Sequence, residues 1–474
     1  MKDARTVSLD NLFHPRSIAI LGASNNPASK GYDYLKGLQE FEFPGRIYPV
    51  NPSTTRLLGL KSYPHRRDSP GEIDYVISCI NAHSVIEMMD DFASKNVKTI
   101  QLYTSGFSET GDPVGKALER ELVERAKQKS MRIIGPNCIG LHYPKGGVAF
   151  GRAPFSKKGG PVGAIVQSGG HAWHLVSSGS LRGLGFSKIV SFGNAADLDE
   201  TDFLEYLTLD RETEVIVAYL EGIKDGRRFT EAARKVARVK PLIMFKGGRT
   251  DAGKRAAASH TGSIAGSKKV WNAFFRQTGI IRAFSIDDII DFVLPFLHFP
   301  AIEGSHVGVV GSGGGASVQA ADDLESVGFT IPSLPADIKE KLKEFTPIAG
   351  SSLENPVDTV ELRNPRNFIQ TIGLVGSWKE IDILLAHAVV ELTSQWQGQS
   401  VLDGIVDGLI KIKEVVGKPM TVVLQSYGTA KGAANLYQIR KRLADSGIPV
   451  YPTVVRAAKA IDQFVRYHRN HRGM

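Results

Sequence analysis

One histidine in this sequence stands among unusually small neighbours. In Ala256-Ala-Ala-Ser-His260-Thr-Gly-Ser-Ile-Ala-Gly266, almost every residue beside the imidazole is Ala, Gly, Ser or Thr. A lone histidine is more often a satisfied polar group than a reagent. Small neighbours on both sides nevertheless leave the ring reachable from outside, which suits a nitrogen nucleophile. Three other segments suit anions: Gly22-Ala-Ser-Asn-Asn-Pro-Ala-Ser-Lys-Gly31, Gln167-Ser-Gly-Gly170 and Gly311-Ser-Gly-Gly-Gly315. Each joins an apolar run to a helical pattern. A helix N-terminus offers unpaired N–H groups and partial positive charge, and glycine lets the backbone approach a ligand closely. These turns are therefore candidate phosphate or carboxylate sites, unless they merely connect a strand to a helix.

Several familiar chemistries find no support. The first turn is not G-x-G-x-x-G, and the second strand ends Pro49-Val-Asn51-Pro52 with no acidic residue for a ribose hydroxyl. This argues against NAD and leaves another nucleotide-containing cofactor open. Gly248-Arg-Thr-Asp-Ala-Gly253-Lys254-Arg255 has phosphate-loop spacing, but Arg255 stands where a Mg²⁺-binding Ser or Thr belongs. There is no G-x-S-x-G, H-E-x-x-H or C-x-x-C. The two cysteines, Cys79 and Cys138, lie in apolar surroundings, so neither a disulfide framework nor a thiolate metal site is expected, and no metal-ligating residue is assigned.

The elements that must position these residues are α/β units. Ser17–Leu21, Arg46–Val50, Tyr75–Ile80, Thr99–Tyr103 and Arg132–Ile134 read as strands with helical segments between them. Their apolar runs do not alternate with polar residues, which predicts a parallel sheet covered on both faces. This Rossmann-like domain is expected to span residues 1–145. The pattern restarts for 146–299, with strands at Gly163–Val166, Ile189–Phe192, Glu214–Leu220 and Pro241–Phe245 and a helix over Ile286–Leu297. Beyond a linker at Phe299–Ser305 it restarts again for 300–474, with strands at Val307–Val310, Ile381–Leu385 and Thr421–Leu424.

Composition agrees with a large globular chain. At roughly 150 residues per domain, 474 residues suggest about three domains. Hydrophobic residues at 42% and charged residues at 23% exclude disorder, and 49 glycines without a G-X-Y period exclude collagen. The net charge is +9, with basic residues that read as scattered rather than gathered in one run. A solvated basic surface or an anionic cofactor fits this better than nucleic acid, for which no zinc-finger spacing, RNP-like segment or arginine-rich arm is seen. A polar N-terminus and the lack of any run near 18 apolar residues predict a soluble, cytoplasmic protein that does not enter a membrane.

Taken together, the residues resemble the α subunit of the ADP-forming acyl-CoA synthetases, relatives of succinyl-CoA synthetase. The marks are Pro15–Ser24, Tyr48–Pro52, Gly135-Pro-Asn-Cys-Ile-Gly140, Gln167–Gly170, Gly193-Asn-Ala-Ala-Asp197, Lys224–Arg228, Ser259–Ser263 and Asn355-Pro-Val-Asp358, in the family's order. The resemblance implies a CoA-binding domain followed by two flavodoxin-like domains. It implies coenzyme A contacts at Gly22, Ala23, Ser24, Asn25, Gly31, Asn51, Asn81, Gly106 and Asn137. His260 would be transiently phosphorylated and Glu221 would orient it. Gln167, Ser168, Gly169 and Gly170, with Gly313, Gly314 and Gly315, would grip the phosphoryl group from opposite sides. Backbone N–H groups supply the dispersed positive potential that such a group needs. ADP or ATP with Mg²⁺ would sit on a separate ATP-grasp β subunit in an α2β2 assembly, because residues 300–474 read as a third α/β unit.

Two departures stand out. The family often has Lys after Val-Asn-Pro, where this chain has Ser53, so a CoA phosphate contact is either missing or supplied by Arg56 or Lys61. The phosphate turn is followed by the bulky His171-Ala-Trp-His174, which either reshapes an acyl pocket or packs the helix. A non-catalytic CoA-binding protein of the same fold is the alternative, opposed by the presence of both Glu221 and His260.

Overall fold

The computed structural model describes residues 4–65, 68–152, 157–261, 267–311, 313–347, 350–359, 364–390, 399–426 and 428–471, the side chains of 4–8, 257–261, 399 and 431 excepted. Among the described residues three larger sheets are present, each built mainly from short, buried, apolar strands. The first contains β1 (Ser17–Leu21), β2 (Arg46–Val50), β5 (Tyr75–Ser78), β6 (Thr99–Leu102) and β7 (Arg132–Ile134). Their order is β2-β1-β5-β6-β7, all parallel. A two-stranded hairpin, β3 (Arg56–Leu57) and β4 (Leu60–Lys61), stands apart from it.

The second sheet contains β8 (Gly140–His142), β9 (Val162–Val166), β10 (Phe186–Ser191), β11 (Val215–Leu220), β12 (Leu242–Lys246) and β13 (Ile281–Ala283), ordered β13-β12-β11-β9-β10-β8. Its edge strand β8 runs antiparallel to β10, while the other described pairs of this sheet are parallel. The chain thus enters the second sheet before residue 145. The third sheet contains β14 (Val307–Gly311), β15 (Val357–Asp358), β16 (Ile383–Val389), β17 (Met420–Gln425) and β18 (Val450–Tyr451), ordered β15-β14-β16-β17-β18 and parallel throughout.

The strand order reverses at β1, at β9 and at β14, where chain-consecutive strands lie on opposite sides of the first. Open α/β sheets bind ligands in the crevice at such switch points, outside the carboxyl ends of the strands. The three glycine-bearing turns follow β1, β9 and β14. Topology therefore places each where a ligand crevice belongs.

The first two sheets form one compact unit, residues 1–180 and 185–286; the rest of the chain forms another. Within the first unit, Gly193-Asn-Ala-Ala-Asp197 is the joint between sheets. The Asp197 carboxylate accepts from Arg132 Nε at 2.9 Å, Arg132 Nη2 at 3.1 Å and the Ile133 N–H at 2.8 Å. The Asn194 side-chain amide donates to Glu109 at 2.6 Å and Glu119 at 2.9 Å. A Cβ on Gly193 would lie 2.2 Å from the Pro136 carbonyl oxygen, so only glycine allows this approach. The Lys224–Arg228 mark is also structural: Asp225 caps the helix Gly226–Ala237, and Arg228 reaches Asp202 at 2.7 Å and Glu205 at 2.8 Å.

In the second unit, Asn355 extends the sheet with its side chain. Its Oδ1 accepts from the Val309 N–H, and its Nδ2 donates to the Val307 carbonyl, both at 2.9 Å. No described helix is long and apolar enough to cross a membrane.

Candidate functional site

The turn after β1 opens with Gly22 at φ +77°, a conformation that favours glycine. It passes into the helix Lys30–Glu40, capped by the Ser29 side chain accepting from the Tyr32 N–H. Helix and turn touch at Gly31, where a Cβ would lie 2.0 Å from the Gly22 carbonyl oxygen. Glycine at 31 is thus required first by the turn's own backbone rather than by a ligand. The Asn51 amide donates to the Ala23 carbonyl at 2.8 Å. Asn25 accepts from the Leu58 N–H and donates to the Arg56 carbonyl, tying the β3–β4 hairpin to the turn. Ser24 Oγ accepts from the Asn26 N–H, and Asn81 caps the helix Ala82–Glu87. The Gly106 N–H donates to Glu109 at 2.6 Å. Several of the nine residues expected at the cofactor therefore shape its loops.

Asn137 lies further along the same unit. With Ile139 and Gln167 through Gly170 it lines a cleft of about 250 Å³ that also takes in Gly193. Cys138 borders it too, but burial pushes its thiol up to about 12 and removes it as a nucleophile. The helix Gly169–Leu181 begins in this cleft, so its first N–H groups face the space.

Behind the cleft, Gln167 and Glu221 are coupled. Gln167 Oε1 accepts from the N–H of Glu221 at 2.7 Å and of Gly222 at 3.0 Å. On the other side, the buried Lys246 ammonium donates to the Glu221 carbonyl at 2.6 Å and to the Gly247 carbonyl. It also lies 5.1 Å over the Trp271 ring. Burial lowers the pKa of Lys246 to about 8, against the opposing pull of Glu221. The Tyr219 hydroxyl donates to Glu221 Oε1 at 3.1 Å. His171 stacks on Tyr219 at 4.1 Å, with its Nδ1 3.2 Å from Ser168 Oγ, which places this bulky residue in ring packing against β11.

His260 falls in the last turn of the helix Asp251–Thr261. Its side chain, and residues 262–266 of the small-residue segment, lie outside the described residues. The helix runs beside the short turn Ser108–Thr110, next to Gly106 and Glu109. In the second unit, the Gly313 N–H donates to Asp358 Oδ1 at 2.6 Å, and the helix Gly314–Glu325 begins with exposed Gly314 and Gly315.

The structure thus gathers Asn137 and Gln167–Gly170 around one cleft, with Glu221 behind them. Sequence reading missed Lys246, a single lysine at a strand end with no motif around it. It also missed Arg152, which bonds Asp33 at 2.8 Å and the Pro27 carbonyl at 2.9 Å and so braces the first turn from far along the chain. Among the described residues, no group of three or more His, Cys, Asp and Glu stands ready for a metal ion.

Comparison with known proteins follows this division. Residues 16–144 match a family model described as a CoA binding domain, and residues 159–296 one described as a succinyl-CoA ligase like flavodoxin domain. The chain is 36% identical over 462 residues to the ADP-forming acetate–CoA ligase II subunit alpha of Pyrococcus furiosus, covering 98% of each. It is 34% identical to an ADP-forming acetate–CoA ligase of Methanocaldococcus jannaschii over 98% of this chain and 64% of that one. A solved structure of Ca. Korarchaeum cryptofilum dinucleotide forming acetyl-coenzyme A synthetase 1 in complex with phosphate and ADP shares 34% identity. That match covers 98% of this chain and 97% of the other, with a TM-score of 0.82.

Proposed function

Because this chain belongs to the family of ADP-forming acyl-CoA synthetase α subunits, relatives of succinyl-CoA synthetase, we propose that it interconverts acyl-CoA and free acid through a phosphohistidine at His260. Inorganic phosphate displaces CoA from the acyl carbon, giving an acyl phosphate and free CoA. His260 takes the phosphoryl group and releases the carboxylate. The phosphohistidine then passes the group to ADP, forming ATP and restoring the imidazole. All three steps run in either direction.

The observation that carries this reading is the coupling of Gln167 to Glu221. It ties the turn that opens a helix at the sheet's switch point to the backbone of the residue that bears the carboxylate. In the proposed division, residues 1–145 bind coenzyme A at the Gly22–Gly31 turn and at Asn51, Asn81, Gly106 and Asn137. Residues 146–299 carry Glu221, His260 and the Gln167–Gly170 phosphate site. Residues 300–474 offer Gly313–Gly315 as a second phosphoryl contact. An acetate-like acid is the proposed substrate, as the names of the relatives suggest.

ADP with Mg²⁺ belongs on a separate ATP-grasp subunit, assembled as α2β2. The longer Methanocaldococcus relative, of which this chain covers 64%, leaves room for such a segment in one polypeptide. The test is phosphorylation by ³²P-phosphate with acetyl-CoA. Wild type should be labelled and His260→Ala unlabelled while CoA binding persists, and ATP should form only when an ATP-grasp subunit is added. Equal label on both proteins, or ATP formation by this chain alone, would overturn the reading.

A further inference from the structure

Between Arg227 and Arg282 the chain carries fourteen Lys and Arg against only Glu231 and Asp251, so the remaining 418 residues have a net charge of −3. The basic character of the protein is thus concentrated in one segment rather than scattered. That segment forms the helix Gly226–Ala237, β12, the helix Asp251–Thr261, the helix Lys268–Thr278 and β13, the outer edge of the second sheet. The first and third of these helices share a layer. Phe229 stacks on Phe274 at 5.6 Å between ring centres, and Arg234 reaches Gln277 at 3.3 Å.

Some of the cations are neutralised in place. Arg227 pairs with Glu231, Lys254 with Asp251, and Arg228 with Asp202 and Glu205. Lys240 and Lys246 donate to backbone carbonyls. The other nine, among them Arg234, Lys235, Arg255, Lys268, Lys269 and Arg276, are in no ion pair among the described residues. Arg249 and Arg282 both lie 4.9 Å from the Phe284 ring, and burial and the charge of Arg249 lower the pKa of Arg282. Like charges held this way oppose folding unless something relieves them.

Resting on the reading that a separate subunit carries the nucleotide, we propose that this face docks an acidic surface of that partner. A nucleotide's phosphates would engage two or three of these side chains, whereas nine spread over three helices, a strand and the segments beside them call for a surface. Val270 (66% exposed) lies on the third of these helices, and Val239 (65%) and Phe284 (48%) lie just past the ends of the first helix and of β13. Apolar groups among cations suit a protein interface, and a phosphate backbone offers them nothing. The face also flanks the helix that carries His260, where phosphoryl transfer must take place.

The test uses Lys268→Glu/Lys269→Glu/Arg276→Glu in the full chain, with a recombinant ATP-grasp subunit that restores nucleotide-coupled turnover to wild type as the probe. Wild-type association should slow at least about 10-fold between low and physiological salt. The triple variant should bind the subunit at least about 30-fold more weakly, with a flattened salt dependence and unchanged CoA affinity. Equal affinity and salt dependence in the two proteins would overturn the docking proposal while leaving ³²P labelling of His260 intact. Absence of that labelling in wild type would instead sink the functional reading. Tight wild-type binding of a DNA duplex of about 20 base pairs, lost in the variant, would overturn the proposal in favour of nucleic acid.

Discussion

Gln167 and Glu221, 54 positions apart, are joined by a 2.7 Å hydrogen bond from the backbone N–H of Glu221 to the side-chain oxygen of Gln167. The turn that opens toward the cleft and the backbone that carries the Glu221 side chain are therefore held together. Replacing Gln167 with Leu leaves two buried N–H groups, those of Glu221 and Gly222, without their acceptor. The variant should lose about 1–3 kcal/mol of stability in urea unfolding, and its phosphorylation should slow while CoA binding holds. Unchanged labelling would separate the turn from the chemistry.

Glu221→Gln keeps the shape of the side chain and can still accept from Tyr219, but it removes the negative charge. If Glu221 orients and supports His260, label uptake should fall by about 10²–10⁴ without disappearing. Full-rate labelling, measured by rapid quench, would make Glu221 structural.

Gly31→Ala asks the first turn to accept an atom 2.0 Å from the Gly22 carbonyl oxygen. The turn must shift, so CoA affinity by calorimetry should drop at least about 10-fold even though alanine is a good helix former. Retained affinity in the folded variant would show that the turn does not hold the cofactor.

Arg56 and Lys61 face each other directly across the β3–β4 hairpin, and both are exposed. Like charges in that position repel and would welcome a phosphate between them. Lys61→Gln should weaken CoA binding by about 3–10-fold but leave dephospho-CoA binding unchanged. An equal effect on both ligands would place the terminal phosphate elsewhere.

Glu200 is almost fully buried, and its carboxylate accepts from the Lys224 N–H at 2.8 Å. Burial raises its pKa from the ordinary glutamate value of about 4.5 to about 7. Between those values the folded protein binds more protons than the unfolded chain, so stability falls as pH rises from about 4.5 to about 7 and the loss is complete above it. Glu200→Gln should remove that dependence and gain on the order of 1 kcal/mol at pH 8, with little difference at pH 4.5. A constant gap between the two proteins across pH would contradict this.

The fold was legible where local signals suffice. β1, β2 and β7 are short apolar runs, read at their observed bounds, and the glycine-bearing turns announced the helix starts. β8, β13 and β18, each of two or three residues, escape a reading from the sequence. Relations made by tertiary contact left no trace: Lys246 meets Glu221, Arg152 reaches Pro27, and Asn194 bridges to Glu109 and Glu119 only once the sheets are assembled. The basic face is different, because counting alone reveals it: fourteen Lys and Arg against two acids lie between Arg227 and Arg282, yet interleaved apolar residues keep them from forming a run. Helix surfaces present residues three and four apart, so a concentrated face need not appear as a run.

The way β8 leaves the first sheet for the second bears on modular inheritance. A fragment ending at residue 145 would keep Gly140–His142 but not Phe186–Ser191, its ladder partner. It would also strip Arg132 of Asp197 and Phe13 of Tyr206, which stacks on it at 4.5 Å. Such a piece carries an unpaired strand and bared aromatic surface, a setting for edge-to-edge aggregation. Gene fusions and rearrangements that keep a working protein should therefore break the chain outside residues 140–206, and preferably beyond β13, where the first compact unit ends.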